Sequence, residues 1–459
     1  MLRLCAAKLA GFGGYVYRSP LFASALAVLA LATVCLAGHN NNNNNNNAVG
    51  GISISPEGVV NKQVEVNRIG LRDYYRENLM KIPAELNKPT EMRKVSLKQL
   101  EAAVKASGKN LSVNQSEDIR FMAGLQRVEY ILVYPELGDI VLVGPGEGWK
   151  VDDNANYVGV TTGRPVVRLE DFVVALRTVD NARQGGITCS IDPTAEGRQR
   201  LDQLLGSVRQ FGPGVLDGIE KALGPQQVTV TGVPATSRFA RTLVASDFKM
   251  KRIAMKLDAS PVAGLPSFLD MMKGGLDNMM PRWWIATDYE PLAKSEDGLA
   301  WQIRGRGVKV MTEDEFIGDD GSVTGTGKVN PIAQKWADKM TEKYEELSVA
   351  DPVFGDLRNA MDLCVVAALI AKEGLLEKAN LKIPTLLGED NNLAIQEFSA
   401  AKTIDTQCSF VKRGREFVIT ASGGVEISSW QACEKSEISA EVKKVHSTAA
   451  PAGNSIWWN

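Results

Sequence analysis

The sequence predicts an α+β fold, and three observations lead there. Stretches with the two-residue period of strands alternate irregularly with stretches of helical period, and no interval repeats. Strand signals cluster in a hairpin (Val128–Tyr134 and Asp139–Val143 around Pro135–Gly138) and a β-meander near residues 283–311. Two long helices (331–371) and a C-terminal β-hairpin then follow in separate runs, the segregation expected of α+β rather than α/β chains.

Taken in order, Ile69–Met80 has the spacing of an amphipathic helix, and Pro83 and Pro89 mark a boundary. Ser96 caps a helix through Lys105 and Ser116 another through Gln126. After the first hairpin, Glu170–Arg183 places Phe172, Val173, Leu176 and Val179 on one side of a helix. Ile187–Ile191 is a strand, and Thr194 opens a helix to Val208. Gln227–Val233 alternates as a strand, and Ser237–Ser246 carries the stripe Phe239, Ala240, Leu243, Val244. Met250–Leu257 alternates Lys with apolar residues and is expected as a strand. The meander turns at Pro291–Gly298 and Gly305–Gly307, and Asp319–Asn330 is a Gly-rich loop. Pro331–Glu346 and Pro352–Ala371 are helices, the second holding the buried run Leu363–Ala371. Thr403–Trp430 returns to strands, and residues 434–459 are expected to form a polar tail.

The N-terminus has the order of an export signal. Arg3, Lys8 and Arg18 precede an uncharged apolar run, Leu21–Ala37, and Asn40–Asn47 is pure asparagine. The run has seventeen residues, short of the about 20 that span a bilayer. Small residues suit cleavage near Gly38, and retention as an anchor is the other reading. The expected organisation is a signal peptide or anchor at 1–37, an Asn-rich linker at 38–50 and an N-terminal extension at 51–94. A globular region follows at 95–433, with a subdomain boundary near 258–280, and then the tail.

Composition excludes several functions. A net charge of −2 gives no concentrated positive surface for nucleic acid. His39 and His446 are the only histidines, and both are expected in flanking segments, which leaves no His for a catalytic triad or a zinc protease. Beyond the leader stand Cys189, Cys364, Cys408 and Cys433, with no CxxC. In an exported chain they allow three pairings; Cys408 and Cys433 flank the C-terminal hairpin and are the favoured disulfide, with Cys364 a buried thiol.

Familiar motifs fail. Gly321–Lys328 lacks the first Gly and the Ser or Thr of a phosphate loop, and Gly144, Gly146 and Gly148 open no helix. Asp152–Asn156 has the alternating oxygens of a calcium loop, but Tyr157 replaces its Gly and Gly163 its Glu. Ser246-Asp247-Phe248-Lys249 has S-x-x-K spacing without a following K-T-G. No cofactor or metal is expected. Carboxylates remain. Asp288 and Glu290 share one side of a strand, and Glu313, Asp314 and Glu315 follow, the raw material of a hydrolase working with two acids. The most distinctive cluster is Arg282-Trp283-Trp284 with Trp301, Arg304 and Arg306. If the strand from Gln302 continues, Arg304 and Arg306 share a face, and Arg beside Trp stacks on sugars or clamps anions. Large aromatics also fill cores.

Long phrases carry a resemblance. VEYILVYPELGDIVLVGPGEGW from Val128, ITCSIDPTAEGRQRL from Ile187, RFARTLVASDFKMKRIAM from Arg238 and PVFGDLRNAMDLCVVAALI from Pro352 are among them. They resemble an uncharacterised domain-of-unknown-function family of exported planctomycete proteins, over roughly Lys98 to Cys433. The resemblance implies export and a bacterial host and supplies no functional residues. The resulting expectation is a non-catalytic exported protein, periplasmic, envelope-associated or secreted, that binds a cell-envelope component or another exported protein through the Trp–Arg segment. It would touch a membrane only through residues 21–37. The alternative is an exported carboxylate-dependent hydrolase of an envelope glycan or peptide.

Overall fold

Side-chain caps start helices at the residues the sequence marks. The hydroxyl of Ser96 accepts from Gln99 N at 3.0 Å, that of Thr194 from Gly197 N at 3.0 Å and that of Ser237 from Ala240 N at 3.1 Å. A computed structural model describes residues 48–459 except 63–64, 109–114, 209–212, 273–279, 318–322, 326, 328, 414, 420–421 and 452. The leader and the asparagine run lie outside these residues, as does half of the Gly-rich loop. Residues Asn47–Asn459 form one compact unit. Among the described residues no helix is long and apolar enough to cross a membrane.

The fold is α+β. Among the described residues the larger sheet has ten strands, in the order Ala48–Val49, Ile52–Ile54, Val59–Lys62, Thr403–Ile404, Gln226–Thr231, Ile187–Asp192, Ser422–Ile427, Met280–Asp288, Gly307–Ile317, Val323–Gly325. The smaller has seven, in the order Ser436–Ile438, Leu292–Lys294, Ala300–Gln302, Tyr130–Tyr134, Asp139–Gly146, Thr90–Ser96, Trp457–Trp458. Four helices frame the candidate site: α1 (Glu65–Glu77), α2 (Leu169–Arg177), α3 (Arg238–Ala254) and α4 (Pro352–Glu373). Every residue of α4 from Pro352 to Ile370 is buried, as expected for the Leu363–Ala371 run. It shares one core cluster with Val133 and Leu142 of the smaller sheet and Ile187 and Val425 of the larger.

Several expectations are corrected. Residues 283–311 are not a single meander. Strands 280–288 and 307–317 pair with each other in the larger sheet, while 292–294 and 300–302 leave to join the smaller one through Tyr130–Tyr134. Local turn signals reveal hairpins but not which sheet receives them. Residues 250–254 are helical, the last turn of α3. This helix is buried nearly all round, Lys251 included, and the local alternation of Lys249 and Lys251 with Met250 mimics a strand. The helix expected from Ser116 ends at Arg120, because Met122, Ala123 and Gly124 take positive φ values of 46°, 56° and 75°.

Residues 434–459 are not a free tail. Strand 436–438 extends the smaller sheet at one edge and 457–458 at the other. Helix Ala440–Thr448 brings Val442 onto the sheet face formed by Leu132, Tyr134, Val141 and Val143. Strand 130–134 is thus covered on both faces, which is why it reads as a continuous apolar run. His446 stacks on Tyr134 at 4.5 Å, and its Nε2 lies 2.8 Å from Val133 O. The Cys408–Cys433 bridge is absent: Cys189, Cys364, Cys408 and Cys433 are buried free thiols. Cys408 packs with Leu201, Ile219 and Leu223, whereas Cys433 lies in the main core near Val365 O.

Strand 422–427 is squeezed between 187–192 and 280–288. A Cβ at Gly424 would stand 1.7 Å from Cys189 O, and one at Gly423 (φ +124°) 1.7 Å from Trp283 O. Gly424→Ala is therefore expected to lose about 3 kcal/mol or more. Urea unfolding measures this, and an unchanged midpoint would contradict the contact.

Candidate functional site

The structure does not bring the Trp–Arg segment together as a surface. Trp283 has no exposure and packs edge-on against Phe268 at 4.9 Å and Trp336 at 5.1 Å. Trp301 is buried in the other sheet, its indole N–H donating to Gly298 O at 3.1 Å. Arg282 lies over Trp284, Arg304 donates to Pro291 O and Glu437, and Arg306 is exposed. The strand stops at Gln302, so Arg304 and Arg306 share no strand face. Core packing has claimed the two large rings.

The acidic candidates do not meet in a cleft either. Asp288 ends its strand, partly exposed, 3.9 Å from Lys309, and Glu290 is exposed. Glu313 accepts from Gly327 N at 2.9 Å, and the side chains of Asp314 and Glu315 lie outside the described residues. Ser246 donates within α3 to Thr242 O while Lys249 pairs with Asp351, so the S-x-x-K residues serve separate structural contacts. Asp152 accepts from the backbone of Asn154 and Asn156, which makes the calcium-like run a polar turn. Among the described residues no group of three or more His, Cys, Asp or Glu is placed to hold a metal.

A cluster the sequence reading missed forms where three helices begin. Arg168, Glu170 and Asp171 stand at the start of α2, Arg238 is the first residue of α3, and Asp356 lies in the opening turns of α4. Arg238 bridges the two aspartates, bonded to Asp171 Oδ2 and, at 2.7 Å, to Asp356 Oδ2. All three residues are buried. Burial works against the Arg238 charge, but the two carboxylates outweigh it and hold its pKa above the ordinary value. The helix N-termini favour the carboxylates gathered there.

Arg168 and Glu170 are only half-buried beside this bridge. The Arg168 guanidinium sits 4.6 Å from the Phe121 ring and 4.7 Å from the Tyr157 ring, and those rings are themselves 4.5 Å apart. Arg120 lies 5.3 Å from Phe121, and Tyr75 of α1 lies 5.4 Å from Tyr157. Burial, with Arg238 nearby, brings Arg168 down to about 10. Burial, with Asp171 nearby, pushes Glu170 up to about 7 against the pull of Arg238, Arg168 and Arg120. Three buried atoms in this one place have no hydrogen-bond partner: Arg168 Nε, Glu170 Oε1 and Asp171 Oδ1. Buried polar atoms are nearly always satisfied, so these three single out the cluster as a candidate site.

Glu170 makes stability depend on pH. Its folded value of about 7 exceeds its ordinary 4.5, so the folded protein binds the proton more tightly between them. Stability then falls as pH rises through that window and the loss is complete above it. Glu170→Gln removes the dependence. Its advantage over the parent should grow from near zero at about pH 4 to about 3 kcal/mol at about pH 8. Urea unfolding across that range tests it; parallel curves would refute it.

A second charged site lies deeper. Lys251 Nζ donates to Ile191 O at 2.9 Å, Asp247 Oδ2 at 2.9 Å and Gly423 O at 3.2 Å. It thereby clamps two strands of the larger sheet to α3. Asp247 has no exposure, and burial lifts it to about 6 despite Lys251. Lys251 also borders a small cleft, with room of only about 20 Å³, whose lining includes Gln226, Phe248 and Arg252. All three Lys251 donors are engaged, so its role is structural.

The one sequence signal for the cluster was Arg-Leu-Glu-Asp directly before an apolar stripe. Such charges usually mark a solvated helix start, and only the packing of α3 and α4 makes them interior. No curated protein and no solved structure matches the chain. Residues 189–268, which include Cys189, Arg238, Asp247 and Lys251, match the uncharacterised family described as Protein of unknown function (DUF1598).

Proposed function

We propose that this is an exported, non-catalytic binding or scaffold protein, envelope-associated or secreted, whose ligand seat is the charged cluster at Arg168 and Glu170. The observation that carries the reading is the three orphaned polar atoms set among Arg168, Arg120, Phe121 and Tyr157. Arg over aromatic rings beside an unpaired carboxylate is the chemistry of a recognition site. Export is supported by the basic, apolar and asparagine-rich order of residues 1–47. The test is fractionation of the native host with in situ cross-linking, comparing the parent with Arg168→Ala. The expected result is recovery in the envelope or secreted fraction, with a cross-linked partner lost in the variant. Recovery with the cytosol would overturn export, and an unchanged cross-link would overturn the seat.

One observation favours the hydrolase alternative. A carboxyl poised near neutrality beside a second carboxyl has the make-up of a general acid, and Glu170 beside Asp171 fits it better than Asp288 and Glu290. Release of soluble fragments from host envelope glycan by the parent but not by Glu170→Gln would decide for it.

A further inference from the structure

We infer that residues 434–459 form a detachable strap, which opens as one unit from the smaller sheet while the rest of the fold stays closed. The segment crosses that sheet from edge to edge. Strand 436–438 pairs with 292–294, helix Ala440–Thr448 brings Val442 onto the face of Leu132, Tyr134, Val141 and Val143, and 457–458 pairs with Thr90–Ser96.

What holds the strap is slight for its length. Among its described residues only Val442 and Ala449 are buried, and Ile456, Trp457 and Trp458 are half-buried. By contrast, α4 is buried without a break from Pro352 to Ile370. Val442 and Ala449 belong to a small apolar cluster separate from the main core. Strand 436–438 is exposed at every position, with Ile438 70% exposed, so its ladder lies open to water. The polar ties are spread thinly. His446 O accepts from the Tyr134 hydroxyl at 2.7 Å, Lys435 O from Leu292 N at 3.0 Å and Ile456 O from Ser96 N at 2.9 Å, while Ser439 N donates to Lys294 O at 2.8 Å. Segments with few buried apolar contacts and solvent-exposed hydrogen bonds open at free energies well below that of global unfolding.

The parts should lift together. Trp458 packs on the same cluster as Val442 and Ala449, so raising the helix also removes support from the last strand. The root is firmer: Cys433 is buried and its carbonyl accepts from Lys372 Nζ at 2.6 Å, which places the hinge just after it. The remaining pairing of the sheet does not run through the strap. Strands 90–96, 139–146 and 130–134 pair with one another, and Val133 N bonds to Leu299 O at 2.7 Å. Opening therefore leaves these ladders intact and uncovers an apolar face with two strand edges, surfaces that folded proteins keep covered.

The experiment is native-state hydrogen exchange of the purified full chain, read at single amides by mass spectrometry. Leu292 N and Ser96 N donate to the strap from opposite edges of the sheet, and Ser439 N belongs to the strap itself. These three should share one protection factor, about 100-fold or more below that of the α4 amides, while Val133 N stays with α4. Val442→Asp should lower the shared value by about ten-fold or more and leave α4 unchanged. Protection of the three amides at the α4 level would overturn the inference, because the strap would then open only on global unfolding. Unequal values for Leu292 and Ser96 would overturn the single unit, and loss of Val133 protection with them would overturn a sheet that stays closed. No change in the Val442 variant would also count against it. The comparison within the parent protein decides even if the variant fails to fold.

Discussion

Arg238→Ala is expected to lose about 4 kcal/mol of stability, the cost of leaving buried carboxylates without their counter-charge. Two are affected at once, since Asp171 and Asp356 both rely on this guanidinium and neither has more than slight exposure. The three residues tie the first turns of α2, α3 and α4 together, so the loss should appear as global destabilisation rather than local fraying. Equilibrium urea unfolding measures it. A triple variant, Asp171→Leu with Arg238→Met and Asp356→Leu, should recover much of the loss, because an apolar replacement removes the desolvation penalty along with the attraction. A single-variant loss below about 1 kcal/mol would show that water reaches the bridge and screens it.

Lys251→Met is expected to be comparably damaging, at about 3–5 kcal/mol. It strips the partner from Asp247, which has no exposure, and leaves Ile191 O and Gly423 O without their donor. The deficit should depend on pH with a definite sign. Asp247 already stands at about 6 against an ordinary 3.8, so the folded state holds its proton more tightly and stability falls as pH rises between the two. Without Lys251 the carboxyl shifts further up, and the deficit should be largest near about pH 8 and shrink toward about pH 4, where the folded carboxyl is protonated with or without Lys251. Asp247→Asn with Lys251→Met should be less unstable at about pH 8 than Lys251→Met alone. A pH-independent deficit would locate the loss in the two carbonyls instead.

The parts of the fold legible in the sequence are those decided by neighbours in the chain. Ser96, Thr194 and Ser237 act within three residues of themselves, and each capped helix begins where expected. The hairpin at Pro135–Gly138 closes locally and pairs Tyr134 with Asp139. Misreadings fall where the deciding partner is far away. Residues 250–254 stay helical because Lys251 is held by strands 187–192 and 422–427. Strands 292–294 and 300–302 leave their apparent meander because Tyr130–Tyr134 offers an edge. Trp283 and Trp301 resemble a recognition surface in sequence, and two different cores absorb them. The charged cluster was invisible for the same reason: Arg168, Glu170, Arg238 and Asp356 come from three separated segments, each unremarkable alone.

By itself the sequence determined the fold class, the caps, the apolar interior of α4 and the basic, apolar and polar order at the N-terminus, because these follow from local periodicity and composition. Only the tertiary structure decided which charges are buried, which cysteines stay apart and where polar atoms go unsatisfied. Burial is a property of the whole chain: a carboxylate at a helix start is solvated or interior according to what packs on it, and in this protein α3 and α4 make Asp171 interior.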